Sequence, residues 1–80
     1  MTHEALEHGH AVEIAAFAPQ EHGRHVRIER PGTTPVVVVC SSQRQFEEVL
    51  GRERPDIGPD DEQQVHWADR PGEWPTGRRT

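Results

Sequence analysis

Residues 35–51, PVVVVCSSQRQFEEVLG, constrain the fold of this chain more than any other stretch. They read as a strand, a helix cap, a short amphipathic helix and a stop. Side chains alternate across a strand, so the run Val36, Val37, Val38, Val39 puts apolar surface on both of its faces. One short helix covers one face of a small sheet. Val37 and Val39 are therefore expected on a second apolar face, which the helix does not reach.

The rest of the chain has little material to cover that face. Eighty residues allow one small domain. Only 31% of them are hydrophobic, and the mean hydropathy is -0.89. Chains this lean are often held by a disulfide, a metal or a second subunit. A single cysteine, Cys40, rules out an internal disulfide. At the end of the valine run it reads as a small buried apolar residue; a reactive thiol needs a cationic neighbour. Met1-Thr2-His3-Glu4 lacks the basic and apolar regions of a signal peptide. No apolar run approaches the length of about 20 residues that spans a bilayer. The expected location is cytoplasmic, with no membrane contact. The net charge of -5 argues against a general nucleic-acid binder, whose footprint is a basic patch.

Residues 1–10 read as a flexible N-terminal tail, 11–75 as a single α+β domain and 76–80 as a flexible C-terminal tail. Val12 and Ile14 are in phase for a strand. Residues 24–30 alternate, with Val26 and Ile28 inward and Arg27 and Glu29 outward. Pro31-Gly32 fits a type II turn, in which Pro fixes its own φ and Gly supplies a positive one. The third strand starts at Pro35 or Val36, giving an antiparallel meander. Ser42 with Gln45 makes a capping-box pattern, with Ser41 as a competing cap. Phe46, Val49 and Leu50 form the buried stripe of the helix, and Gly51 fits the position just past its end. Residues 52–62 read as a loop, with a turn of helix allowed after Pro59. Residues 64–68 are a candidate fourth strand, with Val65 and Trp67 in phase. Residues 69–75 read as a turn followed by an anchoring aromatic. Arg-Pro-Gly occurs at 30–32 and again at 70–72, as shared turn chemistry. The expected architecture is a three- or four-stranded, mainly antiparallel sheet with one short helix on one face.

No constellation points to catalysis. Among six histidines, the closest spacings are His8-x-His10 and His22-x-x-His25. Neither comes with a third ligand at a recognised spacing, an HExxH or a CxxC. No metal and no cofactor is expected. Ser41 and Ser42 sit at a strand-to-helix turn, but the glycines of a nucleophile elbow are absent and helix capping explains both. Asp60, Asp61 and Glu62 read as a solvated loop. The chain is not expected to be an enzyme; the rival is a small metal-binding protein or enzyme using the histidines. A second rival is a nucleic-acid or acidic-partner binder using a stripe of Arg24, Arg27 and Arg30, which Glu29 interrupts. Trp67 and Trp74 suit recognition, since Trp offers a large rigid contact area. Alternatively, the two indoles cap the open sheet face.

Residues 11–51 carry a resemblance. Val12-Glu13-Ile14-Ala15, Val26-Arg27-Ile28-Glu29, Pro35-Val36-Val37 and Phe46-x-x-Val49-Leu50-Gly51 resemble small actinobacterial domains of unknown function, BldB-like relatives encoded beside helix-turn-helix regulators. That family's pattern runs roughly CVEVA, VAVRDS, GPVL and EWxxFL. Ala11 stands here for its cysteine and Phe46 for its tryptophan, and the serine of VRDS is missing. The resemblance implies a regulatory partner protein and no catalytic residues. Together these readings give a small, non-enzymatic protein-interaction or regulatory module, alone or as a homodimer. Its interaction residues are expected at Val37, Val39, Trp67, Trp74 and Arg27, and its partner is another protein or itself.

Overall fold

The computed structural model describes residues 10–17 and 20–75, and residues 77–78 by their backbone. Residues 1–9 of the expected tail over 1–10 lie outside the described residues. Strands β1 (Val12–Ile14), β2 (Arg24–Ile28) and β3 (Val36–Cys40) precede helix α1 (Gln43–Glu53). Strand β4 (Val65–Trp67) follows it, and then the short pair β5 (Glu73–Trp74) and β6 (Gly77–Arg78). The order in the main sheet is β3-β2-β1-β4. β1, β2 and β3 form the expected antiparallel meander, and β4 joins parallel to β1. The fold is α+β.

The connection β3–α1–β4 runs from one edge of the sheet to the other. A crossover between parallel strands must pass over one face. It therefore lays α1 across the sheet, and Phe46, Val49 and Leu50 are buried beneath it. The sheet meets them with Val12, Ile14, Val26, Ile28, Cys40 and Val65. Each such side chain contributes about 1.5–3 kcal/mol when fully buried. Ile57, from the loop after α1, closes the end of this core.

Local chemistry sets the ends of α1. The Gln45 N–H donates to Ser42 Oγ at 3.1 Å, while Gln45 Oε1 accepts from the N–H and hydroxyl of Ser41. The capping box is thus shared between two serines. Gly51 does not end the helix, contrary to its expected place past the last turn. Its position is open to solvent and α1 continues to Glu53. The stop comes from Pro55, which disfavours helical backbone at the residue before it. Arg54 leaves the helix at φ -140°, its N–H still bonded to Leu50 O. The stretch after Pro59 forms turns rather than a turn of helix.

The two Arg-Pro-Gly repeats are both turns. Gly32 has φ +75° and Gly72 φ +82°, and each turn closes with a hydrogen bond back to the arginine carbonyl, Thr33 to Arg30 and Glu73 to Arg70. Within the expected tail over 76–80, the backbone of Gly77 and Arg78 pairs with Trp74 and Glu73.

Candidate interaction surface

The two faces of β2 hold the two most informative arginines. Arg24 shares its parity with Val26 and Ile28, so it enters the core side and is 1% exposed. All three of its guanidinium nitrogens are used. Nε and Nη2 donate to Ala15 O at 3.0 and 2.7 Å, and Nη2 donates to Asp69 O at 2.7 Å. Nη1 donates to Arg70 O and Glu73 O, both at 3.0 Å. A single ion pair, to Asp69 Oδ1 at 3.1 Å, adds the opposite charge. The rings of Trp67 and Phe17 flank the guanidinium, with centroids 5.3 and 5.5 Å from its carbon. Burial pushes the guanidinium pKa down while Asp69 and Glu73 push back. A buried cation is tolerable only when its donors are met, and here four carbonyls and a carboxylate meet them. Arg24 therefore fastens the segment 69–74 to the end of the meander.

This clasp places Trp74, while pairing with Ile14 in β4 places Trp67. Trp74 is buried, its Nε1–H donating to Gln43 Oε1 at 2.8 Å. Trp67 is half-buried and meets Phe46 and Trp74 edge-on at 5.8 and 5.4 Å between centroids. Both rings lie on the helix side of the sheet. The alternative in which they cap the opposite face is thereby corrected. The stripe of Arg24, Arg27 and Arg30 is corrected too: Arg24 is inside, while Arg30 is tied to Thr34 O and Glu53. Parity alone carried the signal for Arg24, since the residue shares a face with Val26 and Ile28.

The opposite face carries what the helix leaves uncovered. Its central row runs Val37, Arg27, Glu13, His66 across the four strands. A second row pairs Val39 with His25. Val37 is 58% and Val39 49% exposed, the exposed large hydrophobics among the described residues. Beside them is a shallow hollow of about 430 Å³, lined by Glu13, Ala15, His25, Arg27, Val37 and His66. Arg27 pairs with Glu29 at 2.7 Å, both half-exposed; such surface pairs contribute little. The His10 ring lies 4.9 Å from that of His66. His22 and His25 are both exposed, and among the described residues no three His, Cys, Asp or Glu side chains converge as a metal site. Cys40 is fully buried, and burial pushes its thiol up to about 11, so at neutral pH it is an unionised core group.

The two edges of the sheet differ. On the β4 side, three residues pair with β1, and the Val65 N–H is already bonded to Asp61 O at 2.8 Å. Asp60, Asp61 and Glu62 stand immediately before that edge. On the β3 side the strand is five residues long. The bonds Ala15 N–H to His25 O and Glu29 N–H to Ala11 O show that odd-numbered residues of β2 bond toward β1. Even-numbered residues then bond toward β3, which uses Val36, Val38 and Cys40. The backbone N–H and C=O groups of Val37 and Val39 consequently point outward from the sheet. Among the described residues, no side chain and no neighbouring loop bonds them. Gly23 packs beside this edge so tightly that a Cβ there would lie 2.7 Å from Cys40 O and 2.5 Å from Val39 Cγ1.

No described helix is long and apolar enough to cross a membrane. Comparisons with the models of known families, with curated proteins and with solved structures find no match to this chain.

Proposed function

We propose that this chain is a small protein-interaction module of regulatory type, not an enzyme, working through the sheet face opposite α1. The observation that carries this reading is the exposure of Val37 and Val39 side by side on β3, in a chain otherwise short of apolar material. Burying what these two half-exposed side chains still show to solvent contributes up to about 1.5–3 kcal/mol before the cost of association. Arg27 and the rim of the hollow supply polar contacts around them. The resemblance of residues 11–51 to domains encoded beside helix-turn-helix regulators fits a partner protein in gene control. Trp67 and Trp74 serve the interior in this reading, and recognition falls to the valines and Arg27.

The test is a matched capture. Immobilised wild-type chain and its Val37→Asp variant are each exposed to host extract and to the untagged chain. A protein retained by the wild type and lost by the variant supports the role of this face. Identical retention by both, with the variant folded, sinks it.

A further inference from the structure

The unpaired edge of β3 narrows the partner of that face. Outward amide and carbonyl groups of Val37 and Val39 are donors and acceptors that only an extended strand satisfies in register. The charge pattern says which strand. Residues 31–43 contain no Asp, Glu, Arg or His, in a chain that is 29% charged. Edge strands are usually guarded by charge, by proline within the strand or by shortness. The β4 edge has acidic residues and a short strand; β3 has none of these. A charged edge repels a copy of itself, whereas an uncharged one can meet itself across a twofold axis.

Resting on the interaction role given above to this face, we propose that β3 pairs antiparallel with β3 of a second copy, about a twofold axis through Val38. Val37 then lies opposite Val39 of the second copy, and Val39 opposite its Val37. Both are hydrogen-bonded positions of the ladder, because these residues present their N–H and C=O groups outward. The four valine side chains meet as cross-strand neighbours on the open face. Two four-stranded sheets become one continuous sheet, and no charged group faces another across the junction strands. Arg27 and His25 stand one strand further in on each side, flanking the valine cluster.

Sedimentation of the full chain over a wide concentration range is the first measurement. The mass is expected to rise from 9.1 kDa toward twice that value. Val37→Pro deletes an outward N–H and no bond to β2, a place where an edge strand accepts proline. It is expected to hold the chain monomeric with its circular dichroism unchanged. If that variant does not fold, the wild type decides: in a mixed-isotope sample, filtered nuclear Overhauser contacts between Val37 and Val39 methyls of different copies are expected. Amide exchange at Val37 and Val39 is expected to slow as concentration rises. A wild-type chain monomeric throughout overturns the pairing, as does a dimer that persists in folded Val37→Pro or lacks those contacts. A monomer that still captures a different protein, and loses it on Val37→Asp, overturns the edge pairing and leaves the interaction role standing.

Discussion

The two faces of one sheet use the same strand in opposite ways. On the helix side of β2, Arg24 is sealed among rings and carbonyls; on the other side, Arg27 is half-exposed and paired with a neighbour. The difference follows from alternation, which sends residues three apart to opposite sides of the sheet. It teaches that in this chain charge type says little about role. The sealed side has enough aromatic surface to shelter a cation, and the open side has two valines with nothing over them among the described residues.

Breaking the sealed side is expected to have the largest effect. Arg24→Met keeps the volume and removes every donor, orphaning the carbonyls of Ala15, Asp69, Arg70 and Glu73. Removing one member of a buried charged network costs about 3–5 kcal/mol. Denaturant unfolding should show that loss, and amide exchange should speed first in residues 69–75. A near-neutral result would reduce the clasp to an ordinary packing contact.

Alkali offers a smaller perturbation of the same side. The unfolded thiol of Cys40 ionises near 9 and the buried one near 11. A folded pKa raised above the unfolded value gives stability that is whole below pH 9 and drains away as pH climbs to 11. The loss is expected to be about 2 kcal/mol, and Cys40→Ala should erase this part of the alkaline slope. A slope identical in the two chains would place the ionising group elsewhere.

The smallest effect is expected on the open side. Arg27→Ala removes only a solvated ion pair, and the unfolding free energy should stay within about 0.5 kcal/mol of wild type. A larger loss would mean that the open side carries structure of its own, and the contrast between the faces would blur.

Much of the scaffold was legible because its causes are local. Alternation in β2, the serine caps of α1 and the glycine turns at 32 and 72 each depend on residues a few positions apart. The second apolar face at Val37 and Val39 was legible too, since parity alone sends them away from the helix. The end of α1 was misread because a glycine in a helix weakens it without ending it, whereas Pro55 acts sterically on its neighbour. The role of Arg24 was hidden for a different reason: its carbonyl partners on the last segment lie 45 to 49 residues away. No local pattern announces a backbone carbonyl as a binding site. The same distance hid the placement of Trp74, which lies on the helix side because Arg24 holds that segment down, whereas Trp67 follows the parity of Val65 along β4.

Most of the clasp around Arg24 is made to main-chain oxygens. It therefore recognises a path of the chain rather than particular side chains. Glu73 should accept substitution readily so long as the bend survives. Arg70 at φ +46° and Gly72 at φ +82° both hold left-handed backbone, so β-branched residues are disfavoured at 70 and the burden of invariance falls mainly on Gly72. Related sequences would then be expected to drift at Glu73 while keeping Arg24, the bend and the rings around it. A search for kin of this chain is better guided by that sparse skeleton than by overall likeness.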